Sequence, residues 1–373
     1  MRCCQHADWS RPTGAYDLFI VFVEQGVKLC APHGYLCFIT PNKYLSAKYA
    51  SGLRSWLLKN ASIRKVVDVS AVRVFEEVSV YPVIFLVCSD DGASAVDVLL
   101  PRSRSLERFA IGSYAAASVS ADWLRMLPEN LWGFLLSGKL QLLPTVTRHA
   151  QPLSCFGEVN ATSTAAEAAA FGQLLTTCQP SNGLRVINTG TIDRYVALWG
   201  KREMTHAGRR FLTPWLPGTR KLIGDRRLSI YRLPKIVFAK MAKTVEAFID
   251  VHGEYASINT NCFHSPRGVS LKYVGAVCNS RAFMCLYELF FGALRMSGGY
   301  YQFQAPQLRV IPIPAASNEE QAVIVQLVDA ILAAKRADPN ADTSAWEREI
   351  DERVYRLYGL TPEEIKLVEG GGV

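Results

Sequence analysis

The first 90 residues alternate between helix-like and strand-like segments, and this alternation restricts the region to an α/β fold. The run at 79–87 is almost continuously apolar, and strands of this kind are usually covered on both faces of a sheet. The first predicted helix carries one apolar face at spacings of three and four, made of Leu18, Val21, Phe22 and Leu29. The predicted elements in chain order are a helix at 17–29, a strand at 35–40, a helix at 51–59 and strands at 63–69 and 79–87.

Composition divides the rest of the chain into three regions after the α/β segment at 1–90. Residues 91–150 predict a connecting segment with short strands. Residues 151–315 alternate short apolar runs with Gly, Pro and Asn, which predicts a mixed α/β domain. Residues 316–373 predict a helical tail, because S/T-x-x-E capping boxes begin at Ser317, Ser344 and Thr361. Within the second domain we predict helices at 161–175 and 271–294 and strands at 235–239 and 247–250.

The positive charge is concentrated in the middle of the chain. The net charge is +8, and the window 201–240 contains eleven Lys and Arg residues but only two acidic residues. From residue 319 onward the sequence contains twelve acidic residues and six basic residues. Such a distribution fits a nucleic-acid-binding surface beside a solvated appendage, and it fits equally well a loop-rich surface with solvated arginines.

The cysteines and the N-terminus give the expected location. Ten cysteines are scattered without a CxxC pair or a zinc-like Cys/His spacing, which favours reduced thiols and no metal site. The N-terminus lacks the apolar core of a signal peptide, and the longest apolar run, at 78–88, is about half of the roughly 20 residues that span a bilayer. We therefore expect a soluble, cytoplasmic protein.

A series of short motifs is spread along the chain in a fixed order. They are DLF at 17–19, GYLCFITPNKY at 34–44, VFEE at 74–77, YPVI at 81–84, NTG at 188–190, NS at 279–280 and LRVIPIP at 308–314. In this order they resemble the second half of a TaqI-like, adenine-specific DNA methyltransferase of restriction-modification systems, followed by its DNA target-recognition domain. The resemblance implies a partial Rossmann-like sheet, S-adenosylmethionine as methyl donor and double-stranded DNA as partner.

The resemblance also implies roles for three residues of the first region. Methylating the amino group of adenine requires the base to leave the duplex and stack in a pocket. Phe75 matches the stacking residue of the family, although it could equally fill the bottom of the sheet. Pro41 and Asn42 lie where a strand's carboxyl end meets a loop, the usual ligand edge of an open α/β sheet, so we assign them to the cofactor side. A turn-forming role is the alternative, above all for Pro41.

Two motifs of the family do not occur in this sequence. There is no glycine-rich cofactor turn of the GxGxxG kind and no Asn-Pro-Pro-Tyr motif. In the family's sheet the strand matching 35–40 has two neighbours, so here it should present an unpaired edge. We expect either a separately encoded N-terminal half that completes the sheet or a truncated product, and a chain that is catalytically inactive alone.

The second region resembles the target-recognition domain, which reads base edges and holds phosphates with Lys and Arg. The predicted DNA-binding residues are Arg209, Arg210, Arg220, Lys221, Arg226, Arg227, Lys240 and Lys243. Two functions are compatible with these observations. One is a component of the methyltransferase itself, and the other is a non-enzymatic specificity subunit that docks on a catalytic partner through its C-terminal helices.

Overall fold

The computed structural model describes residues 16–72, 74–75, 81–90 and 92–370. Within this part the chain forms two compact units. The first contains the described residues up to Leu143 together with Tyr287–Leu294, and the second contains Pro144–Leu286 and the described residues from Arg295 onward. No helix among the described residues is both long and apolar enough to cross a membrane.

The first unit is built on one five-stranded sheet with strand order β1-β3-β2-β4-β5. Strand β3 runs antiparallel to both β1 and β2, β2 runs parallel to β4, and β4 runs antiparallel to β5. The segment predicted as a connection thus supplies two strands to this sheet. The elements are α1 (Phe19–Leu29), β1 (Tyr35–Pro41), α2 (Ser51–Asn60), β2 (Ser62–Asp68), β3 (Pro82–Cys88), β4 (Ala95–Pro101), α3 (Leu106–Ala110) and β5 (Tyr114–Ser120).

Helix α1 forms as predicted but buries a different face. Ile20, Val23 and Val27 are buried against the sheet side, whereas Phe22 is 65% exposed and Leu29 is 75% exposed. The apolar set that defined the predicted face therefore points away from this unit's core. The three–four spacing of apolar residues correctly predicted the helix. The helix has two apolar faces, however, and its position against the sheet determines which of them is buried.

The second unit contains several small sheets. The largest has strand order β16-β14-β18-β7, with β14 between two antiparallel neighbours, and a three-stranded sheet has order β13-β8-β17. Its strands are β6 (Ala150–Pro152), β7 (Glu158–Ala161), β8 (Leu184–Asn188), β9 (Ile192–Asp193), β10 (Val196–Ala197), β11 (Met204–His206), β12 (Arg209–Phe211), β13 (Trp215–Leu216), β14 (Lys235–Ala239), β15 (Met241–Ala242), β16 (Ala247–Asp250), β17 (Tyr255–Ile258), β18 (Thr260–His264), β19 (Tyr301–Gln302) and β20 (Pro312–Pro314).

The helices of this part include the predicted helix at 271–294, which is in fact two helices. Ser280 ends the first and caps the second, since its hydroxyl accepts a hydrogen bond from Phe283 N at 3.2 Å. The helices are α4 (Leu143–Arg148), α5 (Ala165–Leu174), α6 (Arg220–Ile223), α7 (Asp225–Arg232), α8 (Leu271–Asn279), α9 (Arg281–Phe291), α10 (Ala305–Val310), α11 (Asn318–Ala337), α12 (Ser344–Tyr358) and α13 (Pro362–Val368).

The C-terminal helices have two of the three predicted capping boxes. Ser317 and Thr361 each accept a hydrogen bond from the backbone of the glutamate three residues later. The predicted box at Ser344 is wrong: the cap position is Thr343, whose hydroxyl donates to Glu347 at 2.6 Å, and Ser344 is already the first helical residue. Helix α11 packs on α8 and α12, so the tail covers its own domain.

A buried ion pair joins two neighbouring strands at one end of the largest sheet. Lys235 Nζ lies 2.5 Å from Asp250 Oδ2, and both side chains are almost fully buried. Burial lowers the pKa of Lys235, and the charge of Asp250 opposes that shift. The carboxylate also accepts hydrogen bonds from the backbone N–H groups of Glu254 and Tyr255, so it orients the turn that leads into β17.

We predict that Asp250→Ala destabilises the protein by about 3 to 5 kcal/mol, because it leaves a buried lysine without its counter-ion. The matched control is Asp329→Ala, which removes the partner of Lys272 in a largely exposed pair and should cost less than about 1 kcal/mol. Urea unfolding followed by circular dichroism measures both. Equal losses in the two variants would contradict the assigned role of Asp250.

Candidate functional site

The carboxyl ends of three strands meet at one edge of the first unit's sheet. Strands β1 and β2 run in the same direction because both are antiparallel to β3, and β4 is parallel to β2. Pro41 and Asn42 lie at the end of β1, and Phe75 lies in the loop that follows β2, so the structure places these three predicted residues at the same edge. Asn42 N donates to Tyr81 O at 2.8 Å, which ties the two loops together.

Phe75 does not fill the bottom of the sheet. Its side chain is 44% exposed, while the preceding Val74 packs on the buried cluster of Val67, Val69 and Val72. An exposed aromatic ring at a ligand edge is suited to stacking, and the stacking role itself stays a prediction. Glu76 and Glu77, which complete the predicted motif, lie outside the described residues.

Three polar atoms near the end of β1 are buried without a hydrogen-bond partner among the described residues. They are Thr40 Oγ1, Asn42 Oδ1 and Tyr44 Oη. Burial raises the pKa of Tyr44, and the neighbouring Thr40 hydroxyl only partly opposes this shift. A buried polar atom without a partner costs about 1 to 3 kcal/mol, and the Thr40 and Tyr44 hydroxyls are near enough to each other for the Thr40 hydroxyl to lower the pKa of Tyr44.

Asn42 was assigned to the cofactor side, and the structure gives it little room for that role. Its side chain is only 3% exposed, and Pro41 carries no side-chain hydrogen-bonding group. Thr40 and Tyr44 belong to the GYLCFITPNKY motif, and their signal in the sequence is the alternation of polar side chains at 40, 42 and 44 where the apolar run 35–39 ends.

The loop after β1 is held by a buried arginine. Arg54 on α2 donates from Nη1 to Tyr44 O at 2.6 Å and to Ala47 O at 2.9 Å, and from Nη2 to Glu129 O at 3.1 Å. Burial lowers the pKa of Arg54 to about 10, so it remains charged at neutral pH. A planar guanidinium with five N–H donors suits three carbonyl groups spread around it. Arg54 therefore sets the path of the residues that carry the buried polar atoms.

The predicted basic residues of the second unit fall into three groups. Arg209 and Arg210 lie on β12 of the β11–β12 hairpin and are exposed, with the Arg210 side chain 75% accessible. Lys221 and Arg226 are exposed on α6 and α7, and Arg220 begins α6. Lys240 and Lys243 are exposed on either side of β15.

Arg227 differs from the other predicted DNA-binding residues because it serves the fold. Its Nη2 lies 2.8 Å from Glu167 Oε2, and its Nη1 donates to Ala161 O at 2.6 Å. The side chain is 15% exposed, and the guanidinium lowers the pKa of Glu167 against the opposing effect of burial. The pair joins α7 to the first turn of α5.

The turn at Thr189–Thr191 connects two of the basic groups. Asn188 Nδ2 donates to Thr205 O of the hairpin at 3.1 Å, and Thr189 Oγ1 accepts from Lys240 N at 3.0 Å. The hairpin also touches α5, since His206 Nε2 lies 2.9 Å from Ala168 O. Lys240 and the hairpin therefore border the same turn, and the hairpin and α7 both contact the N-terminal part of α5. No cluster of three or more metal-ligating side chains occurs in the described part of the chain.

Comparison with known proteins identifies the relatives of this chain. Residues 5–75 match the Eco57I restriction-modification methylase family. The type II methyltransferase M.PaeR7I of Pseudomonas aeruginosa is 24% identical over 95% of this chain and 67% of its own length. M.HindII of Haemophilus influenzae is 24% identical over 45% of this chain and 31% of its own length. The resemblance read from the motifs is thus confirmed for a restriction-modification methylase, while the TaqI-like class stays a prediction.

A solved structure has a similar fold. The type IIL restriction-modification enzyme MmeI, determined in complex with DNA, superposes with a TM-score of 0.56 at 13% identity. The match covers 95% of this chain and 52% of MmeI, so the chain spans about half the length of that enzyme and about a third of M.HindII. At this identity the likeness concerns the mixed α/β fold.

We predict that Arg54→Met destabilises the first unit by at least about 2 kcal/mol, because the buried carbonyl groups of Tyr44, Ala47 and Glu129 lose their donor. Arg125→Met is the matched control, since Arg125 is exposed and among the described residues donates to a single carbonyl group, Leu58 O. Thermal and urea unfolding would compare the two variants. A cost for Arg54→Met no larger than that of the control would refute the assigned role.

Proposed function

We propose that the chain is a component of a site-specific, adenine-specific DNA methyltransferase of a restriction-modification system. The observation that carries this proposal is the match of residues 5–75 to a restriction-modification methylase family, which includes the sheet edge with Asn42 and the exposed Phe75. Similarity to M.PaeR7I over 95% of the chain supports the same role for the second unit.

The second unit is proposed to bind double-stranded DNA. Exposed cations on the β11–β12 hairpin and beside β15 border the same turn at Thr189–Thr191. Contacts of Lys and Arg with phosphates supply most of the affinity of DNA-binding surfaces of this kind. Arg227 is excluded from this set, because its side chain is only 15% exposed and is held by Glu167 and by the carbonyl group of Ala161. The DNA complex of MmeI, whose fold is similar, supports DNA as the partner.

S-adenosylmethionine is the proposed methyl donor of the complete enzyme. The described residues do not form its site on their own: Asn42 is almost fully buried and Pro41 offers no polar side chain. We therefore propose that this chain shapes the flipped-base pocket and that the cofactor is held by other parts of the enzyme.

The edge of β1 is the proposed junction with those other parts. On its far side β1 has no partner strand among the described residues, and Tyr35 and Ile39 on it are exposed, as is Phe22 on the adjacent α1. An open apolar strand edge of this kind invites pairing with another strand.

The proposal is tested by measuring methyl transfer from labelled S-adenosylmethionine to a duplex library, with N6-methyladenine identified by mass spectrometry of the nucleosides. We expect no product from the chain alone. A product is expected after addition of a polypeptide that carries the glycine-rich and Asn-Pro-Pro-Tyr motifs. Phe75→Ala should lower the rate of the assembled enzyme, and Phe75→Tyr should retain most of it, because stacking contributes about 1 to 3 kcal/mol per base.

Three results would contradict parts of this proposal. Methylation by the chain alone would show that no second part is needed. Methylcytosine as the product would exclude adenine specificity. Sequence-specific DNA binding without methyl transfer in any assembly would favour the alternative, a non-enzymatic specificity subunit. Such a subunit would dock on its partner through the C-terminal helices. One face of α11 is not available for this docking, because it already packs on α8.

We predict that the double variant Lys240→Ala/Lys243→Ala weakens duplex binding at low salt for all sequences alike. The slope of log K against log salt should fall in magnitude by about 2, because each phosphate contact contributes about 0.9. Lys366→Ala, an exposed lysine on α13, is the control and should leave the slope unchanged. Fluorescence anisotropy between low and moderate salt measures the slope. An unchanged slope in the double variant would remove these lysines from the interface.

A further inference from the structure

The second unit carries a small two-stranded ribbon formed by β15 and β19. Met241 lies directly opposite Gln302, and Ala242 lies opposite Tyr301. Burial alternates along β19 and the two residues that follow it. Tyr301 and Phe303 are buried, whereas Gln302 and Gln304 are half-buried on the other face. The outward face of the ribbon therefore presents Met241, which is exposed, beside two amide side chains.

Hydrogen bonds on both faces hold the ribbon in place. Asn261 Nδ2 donates to Phe303 O at 2.7 Å, and Phe303 N donates to Lys240 O at 2.9 Å. On the outer face, Gln304 Nε2 donates to Gln302 Oε1 at 2.6 Å, and Gln302 Nε2 donates to Met296 Sδ at 3.2 Å. These bonds orient the Gln302 amide. A thioether is a weak acceptor, so a stronger acceptor on a ligand can replace it.

The charges around the ribbon suit a polyanion. Lys240, Lys243 and Arg295 are exposed beside it, and the segments 240–243 and 295–304 contain no acidic residue. Lys243 Nζ lies 5.6 Å from the centroid of the exposed Tyr300 ring, and Arg295 stacks on Tyr301 at 5.5 Å. Exposed cations therefore lie close to both strands of the ribbon, Lys240 and Lys243 next to β15 and Arg295 next to Tyr301 of β19.

From this arrangement we infer that the β15–β19 ribbon enters the major groove of DNA and reads an A·T base pair, with Gln302 at the adenine and Met241 at the thymine methyl group. The inference rests on the proposed function, because it requires DNA to bind the second unit. The major groove accepts a two-stranded β-ribbon. A glutamine amide matches the N6 and N7 edge of adenine with one donor and one acceptor, and an apolar side chain matches the thymine methyl.

The assignment of roles follows from the cross-strand pair. Residues directly opposite each other on a ribbon have Cβ atoms about 5 Å apart, which lets one amide and one apolar group meet the two bases of a single pair. Gln304 holds the Gln302 amide in place through its hydrogen bond, so it is a positioning residue. Lys240 and Lys243 contact phosphates and set the depth of entry without reading sequence.

The test is selection of a random duplex pool on the full chain at moderate salt, followed by affinity measurements on the selected site and its single-base variants. The wild type should select a site with at least one fixed A·T pair. Gln302→Ala should reduce discrimination at one such pair by about 10-fold to 100-fold, with other positions retained. Met241→Ala should relax the preference at the same pair, and Gln304→Ala should have a smaller effect there.

Gln302→Glu adds a change of preference that a folding defect cannot imitate. A carboxylate accepts from the N4 amino group of cytosine, so the preferred base at that position should move from adenine to cytosine. The matched control is Gln326→Ala, an exposed glutamine on α11, which should leave the selected site unchanged. Equal melting temperatures of all variants confirm that the ribbon is intact.

The possible results distinguish a failure of this inference from a failure of the proposed function. A defined site that Gln302→Ala and Gln302→Glu both leave unchanged would overturn the assignment of this ribbon, while the proposed DNA-modifying function would stand. Binding by the wild type that is blind to sequence at every salt concentration would overturn the inference alone, because the proposed function is decided by methyl transfer in the assembled enzyme. Loss of one A·T pair from the site in Gln302→Ala, with the shift to cytosine in Gln302→Glu, would support both.

Discussion

The second unit depends on the ion pair between Lys235 and Asp250. Lys235 opens β14, the strand between two antiparallel neighbours, and Asp250 closes β16 directly opposite it. The same carboxylate receives the backbone N–H groups that begin β17, which pairs with β8 in another sheet. One buried charge pair thus fixes the register of one sheet and the start of the next. Lys240 directly follows β14, and Thr189 directly follows β8. The ion pair between Lys235 and Asp250 therefore helps to determine where the basic residues around the Thr189–Thr191 turn lie.

The order of the helices and strands in the first 90 residues could be predicted from the sequence, because long apolar runs and three-four spacings are local signals. The buried face of α1 could not, since both of its stripes are apolar and the sheet decides between them. Ser344 was mistaken for a cap because its neighbour Thr343 offers the same chemistry one residue earlier. The break at Ser280 was missed, since an uninterrupted apolar pattern runs across it and only the hydroxyl's hydrogen bonds reveal the end of α8.

Charge alone could locate the basic region but could not separate its members. Arg226 and Arg227 are adjacent in the sequence, yet one is exposed and the other is compensated by Glu167, sixty residues away in the chain. The ribbon residues Gln302 and Met241 carry no charge and therefore left no trace in a charge count. Their signal is the period-two burial of 301–304, which is too short to stand out before the partner strand is known. Sites made of neutral groups on short strands are in general visible only once tertiary contacts are given.

The contacts that close the second unit join its two ends in sequence. Strand β6 pairs with β20, Tyr358 Oη donates to Pro312 O at 2.7 Å, and Thr145 Oγ1 donates to Glu364 at 2.6 Å. The β6–β20 pairing and the Thr145–Glu364 bond bridge roughly 160 to 220 residues of intervening chain, and pairings of such sequence separation slow folding because the loop entropy is lost before they form. During synthesis these long-range contacts can form only after residues 312–368 have left the ribosome. Until then the basic window 201–240 belongs to a domain whose two ends are not yet joined, which leaves it exposed to premature contact with polyanions.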